Sequence, residues 1–190
     1  MKAKKRHKAA LDLTTQLDYL FRKGVNLRNR IITISGEIED GLFRLVDAAM
    51  SELEHRSDRP ITIRINSQGG GVYEALAVTG RIRRSRCKVI TEGYGAIMSA
   101  ATLILAAGQT RRISKLAWFM HHETAYQISG AHSRVKAYVE QASREEAEWC
   151  RWMSEFTDTD LKFWKEIGRN KDTYFCAQEL VKLGVADVLI

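Results

Sequence analysis

The sequence predicts an α/β fold, because segments with the two-residue period of strands alternate along the chain with segments of helical periodicity. The strand predicted at residues 60–65 has isoleucine at every second position, and a helix-spaced apolar set beginning at Val72 follows it. A β-rich run at residues 87–95 is followed in the same way by an apolar helical run at residues 100–107. Successive strand-to-helix steps favour a sheet whose strands are joined by helices.

The other elements follow the same logic in chain order. Residues 31–35 are predicted as a strand, residues 41–53 as an amphipathic helix, and residues 116–122 as a strand that ends in two histidines. A long helix is predicted at residues 133–156, with one apolar stripe among many charges. The members of this stripe are Val135, Val139, Ala142, Trp149, Met153 and Phe156. Such a stripe is typical of a core or of a surface that packs against a partner. It is larger than a monomer of 190 residues would readily leave exposed, so we expect an oligomer to bury it.

Ser99 is the most informative single position, because it lies between the β-rich run and the apolar helical run. A hydroxyl at such a junction can point out of the sheet while free N–H groups of the helix face the same space. That placement suits a nucleophile that generates an oxyanion. The alternative is that Ser99 only caps the helix or packs as a small residue.

Serine catalysis also needs a base and oxyanion donors, and two features offer candidates. The glycine run at residues 69–71 lies between a strand and a helix, where positive φ lets N–H groups point outward. His121 and His122 lie on opposite faces of their strand, so only one can face a given site. An ordinary turn and structural or surface histidines are the competing interpretations.

A dinucleotide site is a further interpretation of the glycine run. The match is poor, because Glu74 stands where the third glycine of the motif would be needed. The three cysteines, Cys87, Cys150 and Cys176, are odd in number and widely spaced, which argues against a disulfide framework or a zinc site. We therefore predict no metal and no cofactor.

Taken together, these residues resemble the ClpP proteases, the proteolytic subunits of ATP-dependent Clp machines. The resemblance runs from about residue 29 to residue 189, with several motifs in the order of the family. They are residues 35–40 (SGEIED), 65–70 (INSQGG), 95–108, 120–122 (MHH) and 184–187 (GVAD).

The resemblance implies a role for each candidate residue. Ser99 would be the nucleophile, His122 the general base and Asp172 the acid that orients the base, with the backbone N–H groups of Gly70 and Ala100 as oxyanion donors. The spacing of residues leaves the acid open among Asp172, Asp158, Asp160 and Asp187, and only the resemblance selects Asp172. Asp158 and Asp160 are typical of helix starts, and Asp187 belongs to a turn.

The resemblance also implies a fold and a function. The fold would be of the ClpP/crotonase type, with repeated strand-strand-helix units and the helix at residues 133–156 as a handle where two rings meet. The function would be that of a serine endopeptidase that cleaves unfolded polypeptides inside homo-oligomeric rings fed by an AAA+ unfoldase. The alternatives are a virus-type capsid-maturation protease, a non-proteolytic crotonase-fold enzyme of CoA thioesters, and an inactive ring partner.

Composition and charge divide the chain near residue 28. A chain of 190 residues with 45% hydrophobic content suits one globular domain, which we assign to residues 29–190. Residues 1–30 hold nine Lys and Arg against two acids and the remainder holds 21 of each, so the net charge of +7 belongs to the N-terminal segment. We interpret residues 1–28 as a solvated arm, or as an axial segment as in the family, rather than as a nucleic-acid or membrane-surface arm.

The sequence also bears on the location of the protein in the cell. The sequence contains no apolar run near the roughly 18 residues of a membrane span and no apolar region typical of a secretory signal. It therefore predicts a cytoplasmic protein with no membrane or nucleic-acid partner.

Overall fold

The computed structural model describes residues 22–169 and 171–190. The strands within them are β1 (Val25–Asn26), β2 (Ile31–Ser35), β3 (Ile61–Ser67), β4 (Val89–Met98), β5 (Thr110–Ile113), β6 (Trp118–His121), β7 (Thr173–Cys176) and β8 (Val188–Leu189). The helices are α1 (Leu42–Arg56), α2 (Val72–Arg83), α3 (Ala101–Ala106), α4 (His132–Phe156), α5 (Leu161–Ile167) and α6 (Ala177–Lys182).

The strands form one sheet in the order β1-β2-β3-β4-β5-β8, from which β6 and β7 branch at β4. Pairing is parallel except between β1 and β2 and between β6 and β7. The first half of β4 pairs with β5, whereas its last residues pair with β6. Gly95 lies between the two halves with φ 55°. The sheet therefore forks at Gly95, and the branch formed by β4, β6 and β7 carries the candidate site.

The α/β fold class is confirmed, and the core shows why the periodicity predicted it. Ile61, Ile63 and Ile65 of β3 are fully buried, while α1 and α2 bury their apolar faces. The short helix α3 is buried along its whole length, which explains its continuous apolar sequence. Burial on one face selects the strand period of two and the helix period near 3.6.

Strands β1, β5, β7 and β8 were not predicted from the sequence. In β5 two consecutive arginines hide the apolar alternation, yet Arg111 is buried because its guanidinium pairs with the carboxylate of Asp187. The backbone N–H of Arg111 donates to the same carboxylate at 2.7 Å. This pair joins the end of the chain to the sheet next to β5.

Helix α4 confirms the long helix predicted from the sequence, but its apolar stripe lies in two environments. Met153 is fully buried, and Trp149 and Phe156 pack against the core, whereas Val139 is 51% exposed. The expectation that the whole stripe forms an oligomer surface is therefore wrong for its C-terminal half, because the core of the subunit already covers that half.

The N-terminal end of the domain lies before the boundary drawn at residue 29. β1 pairs antiparallel with β2, and Val25 is buried in the core. Residues 1–21 of the predicted arm lie outside the described residues, so the arm stays a prediction there. None of the described helices is both long enough and apolar enough to cross a membrane.

Candidate functional site

Ser99 lies at a sharp turn between β4 and α3. Its φ of 51° is in the left-handed region, which costs free energy for a residue with a side chain. The Ser99 N–H donates to the carbonyl of Met120 at 2.9 Å, and the Ser99 carbonyl accepts from the Thr102 N–H at 3.0 Å and from Thr102 Oγ1 at 2.6 Å. Because these bonds hold the turn from both sides, the hydroxyl is presented at the junction of strand and helix.

The imidazole of His122 contacts that hydroxyl, with Nε2 2.7 Å from Ser99 Oγ. The register of the parallel pair explains the contact. Met98 of β4 lies beside Met120 of β6, so the residues that follow these two strand ends share one edge of the sheet. At this distance a neutral imidazole can accept the hydroxyl proton.

His121 faces the other side of β6, as the strand alternation predicts. Its side chain is buried, and its ring lies edge-on to Trp164 with centroids 5.3 Å apart. Burial, together with the nearby charge of His122, lowers the pKa of His121 from 6.5 to about 4. The structure therefore brings His122 to Ser99 and assigns His121 to the interior.

We expect His121 to make the fold sensitive to acid. Between its unfolded pKa of 6.5 and its folded pKa of about 4, the unfolded chain binds a proton that the folded chain does not. The free energy of unfolding should fall as the pH decreases through this window, by about 3 kcal/mol from this group, with no further loss from it below the folded pKa.

Urea unfolding across that pH window measures the effect. His121→Phe keeps a ring against Trp164 and should flatten the profile, whereas His55→Gln, a change at an exposed histidine, should not. An unchanged profile in His121→Phe would show that another group is responsible.

Asp172 lies on the far side of the imidazole, with Oδ1 3.9 Å from His122 Nδ1. This distance is within ion-pair range but is too long for a hydrogen bond. The antiparallel pair of β6 and β7 sets His121 opposite Thr173, so His122 and Asp172 are the next residues at that end of the pair. The structure therefore places the Asp172 carboxylate beside the imidazole of His122.

The three competing acids have other contacts. Asp160 caps α5 by accepting a hydrogen bond from the Phe163 N–H at 2.7 Å. Asp187 pairs with Arg111, and the Asp158 side chain lies against Gly184. Each of these carboxylates therefore has a structural setting that does not involve His122.

The glycine loop is held by β-type bonds on one side and lies against Ser99 on the other. Ile38 donates its N–H to the Gly69 carbonyl at 2.8 Å and accepts the Gly71 N–H at 2.7 Å. Gly69 and Gly70 have φ of 105° and 137°. A Cβ at Gly70 would lie 2.4 Å from the Ile38 carbonyl oxygen, and one at Gly69 would lie 2.7 Å from Ser99 Cβ. Only glycine therefore allows this approach of the backbone to Ser99.

Gly70 and Ala100 line the same cleft as Ser99 and His122, with a cavity volume of about 170 Å³. Backbone N–H groups beside a nucleophile can stabilise the negative charge of a tetrahedral intermediate. The described part of the chain contains no group of three or more His, Cys, Asp and Glu side chains suited to a metal ion. The cleft thus combines a hydroxyl, an imidazole and backbone amides.

The far wall of the cleft comes from α4, a contribution that was not predicted from the sequence. Glu146, Trp149 and Cys150 line it together with residues near Ser99. Their spacing of three and four residues marks one helix face. That spacing was a usable signal for a shared face, but nothing in it indicated which surface the face would meet.

An α/β sheet with a hydroxyl and an imidazole in contact at a strand-to-helix turn is typical of hydrolases that attack a carbonyl group. Comparison with known proteins identifies the family. The family model for Clp protease matches residues 20–190. The chain belongs to the Clp protease family, which makes it a peptidase of the ClpP type.

Individual relatives agree with this assignment. The chain is 31% identical over 157 residues to ATP-dependent Clp protease proteolytic subunit 2 of Borreliella burgdorferi, with 76% of this chain and 79% of the relative covered. It is 28% identical over 167 residues to ATP-dependent Clp protease proteolytic subunit 4 of Rhodococcus jostii, with 86% of each covered. A solved structure of a ClpP1 mutant from Listeria monocytogenes is similar with a TM-score of 0.79 and 25% identity, covering 86% of this chain and 92% of the other. The resemblance stated from the sequence is confirmed.

Proposed function

We propose that this chain is a serine endopeptidase in which Ser99, His122 and Asp172 form the catalytic triad. The observation that carries the proposal is the 2.7 Å contact between His122 Nε2 and Ser99 Oγ in a cleft lined by Gly70 and Ala100. Membership of a protease family supports the reaction type.

The chemistry follows from these positions. Ser99 Oγ bonds to the carbonyl carbon of the substrate as His122 Nε2 takes the hydroxyl proton. The oxyanion that forms is stabilised by the N–H groups of Gly70 and Ala100. His122 then gives the proton to the leaving amine, and an acyl group remains on Ser99. A water molecule, deprotonated by His122, hydrolyses this ester and restores the serine.

Asp172 serves this cycle as a positioning group. Its carboxylate, 3.9 Å from Nδ1 and with a side chain 55% exposed, can hold the imidazole in the productive orientation and stabilise the imidazolium. The separation must shorten to a hydrogen bond in the complex with substrate, as catalytic contacts often do.

A fluorophosphonate tests the proposal directly, because it forms a stable bond with an activated serine. We expect one label per chain, mapped by peptide mass spectrometry to the peptide that contains Ser99, and no label after heat denaturation. Labelling of another serine in a preparation that hydrolyses peptides would contradict the assignment of the nucleophile.

The contact between Ser99 and His122 favours a peptidase over the non-proteolytic alternatives. A crotonase-fold enzyme of CoA thioesters would use the amide pair of Gly70 and Ala100 without needing a serine in contact with an imidazole. An inactive ring partner would need neither group in this geometry. The 2.7 Å separation between His122 Nε2 and Ser99 Oγ is therefore the observation that distinguishes these functions.

We further propose that the chain forms homo-oligomeric rings, acts on unfolded polypeptides and works with an AAA+ unfoldase. The relatives are named as proteolytic subunits of ATP-dependent Clp proteases, which supports a partner ATPase and an assembly. Apolar side chains exposed on this subunit support further packing. Trp118 and Tyr174 are each 52% exposed on neighbouring strands, and Tyr138 and Val139 are about half exposed on α4.

We expect light scattering to give a mass several-fold above the 21.6 kDa of one chain. The double substitution Tyr138→Glu and Val139→Glu should lower that mass, because burying two carboxylates in an apolar contact is costly. Glu148→Gln on the same helix is the matched control and should leave the mass unchanged. A monomer at several salt concentrations that still cleaves folded proteins would contradict a chambered protease.

A further inference from the structure

The cleft beside Ser99 extends toward α4 by about the space that one side chain needs. Its volume of about 170 Å³ is somewhat larger than an engineered cavity of about 150 Å³ that accommodates benzene. One side is formed by the groups that would hold the reacting carbonyl, Ser99, Gly70 and Ala100. A substrate residue whose carbonyl is held by these groups would therefore direct its side chain into the part of the cleft that α4 lines.

Glu146 is the acidic residue in this lining, and no lysine or arginine lines the cleft within the described residues. Within residues 22–169 and 171–190, the Glu146 carboxylate makes no hydrogen bond or ion pair. Burial, and then the charge of Glu123, raise the pKa of the Glu146 carboxyl. A partly buried carboxylate with no lysine or arginine beside it is destabilised, so a positive charge on a substrate side chain in the cleft would stabilise it.

The preceding residue shows the contrast. Glu145 accepts hydrogen bonds from Tyr73 at 2.5 Å, Gln141 at 2.9 Å and Tyr126 at 3.3 Å. These contacts tie α4 to α2 and to the loop after β6. Glu145 therefore has a structural role that satisfies its charge, whereas Glu146, one residue later, is left facing the cleft.

We propose that this cleft is a specificity pocket for a lysine or arginine side chain on the substrate residue whose carbonyl Ser99 attacks, with Glu146 pairing with its cationic end. The inference rests on the proposed function of Ser99. Trp149, which also lines the cleft, provides an aromatic surface for the aliphatic part of the side chain and its cation.

Paired peptide substrates test the proposal on the full-length chain. The two peptides differ only at the residue before the cleaved bond, which is lysine in one and norleucine in the other, so that the ammonium group alone is compared. We expect kcat/KM for the lysine peptide to exceed that for the norleucine peptide by about tenfold or more. Glu146→Gln should remove this preference by lowering kcat/KM for the lysine peptide alone.

Glu148→Gln is the matched control. Glu148 lies two residues further along α4 and pairs with Arg151 on the solvent side, so this variant should keep the lysine preference. A wild-type preference for norleucine, or a Glu146→Gln variant that lowers kcat/KM equally for both peptides, would overturn the proposed pocket.

A binding measurement covers the case in which turnover is slow. Calorimetry with the Ser99→Ala variant compares product peptides that end in lysine or norleucine, and the lysine product should bind about tenfold more tightly. Equal affinities would overturn the pocket.

If Ser99→Ala still hydrolysed peptides while the lysine preference depended on Glu146, the triad would be wrong and the pocket would stand. If hydrolysis depended on Ser99 but showed no lysine preference, the triad would stand and the proposed pocket would be wrong.

Discussion

Replacing Ser99 with alanine is expected to lower kcat/KM for peptide hydrolysis by about a thousandfold or more. The substitution removes the proposed nucleophile, the hydroxyl oxygen that lies 2.7 Å from His122 Nε2. The fold should be retained, because the turn is held by the backbone N–H and carbonyl of Ser99 rather than by its hydroxyl.

Circular dichroism and light scattering should therefore be the same for Ser99→Ala and the wild type. Ser143→Ala, a change at an exposed serine whose hydroxyl bonds within α4, is the matched control and should keep full activity. Near-full hydrolysis by Ser99→Ala, in a preparation freed of contaminating protease, would show that another residue is the nucleophile.

Asp172→Asn is expected to have the second largest effect, a decrease in kcat of about a hundredfold or more at neutral pH with little change in KM. An asparagine amide can present its N–H₂ group to Nδ1, which favours the tautomer with the proton on Nε2. That tautomer cannot accept the proton of Ser99. The loss should appear in kcat because Asp172 contacts the imidazole and does not bind the substrate.

Asp160→Asn is the matched control for this change. Asparagine caps helices about as well as aspartate, so the bond to the Phe163 N–H is kept and activity should be unaffected. A large loss in Asp160→Asn or Asp158→Asn, with Asp172→Asn active, would assign the orienting role to another carboxylate.

The parts of the site that could be predicted from the sequence are those governed by local geometry. Ser99 follows from a change of period, because the strand pattern ends and the helical pattern begins beside it. The separation of His121 from His122 follows from strand alternation, which sends adjacent side chains to opposite faces. Both predictions agree with the positions that the structure shows.

Asp172 could not be selected in this way, and β7 explains why. The four residues of β7 are β-branched, aromatic or small. This short run lies directly before helix α6 and was not predicted as a strand from the sequence. Without β7 there is no register to bring Asp172 to the end of β6. The resemblance to a family selected the residue, and strand pairing supplied the physical reason.

By itself, the sequence determined the α/β class, the long helix α4, the strand-to-helix position of Ser99 and the family. Only the tertiary structure decided that the sheet forks at Gly95, that the C-terminal half of the α4 stripe packs into the core, and that Glu146 faces the cleft. The type of an element can be predicted because burial of one of its faces leaves a local period in the sequence. Strand pairing uses backbone groups that every residue shares, and the surface that a helix face meets depends on how distant segments pack.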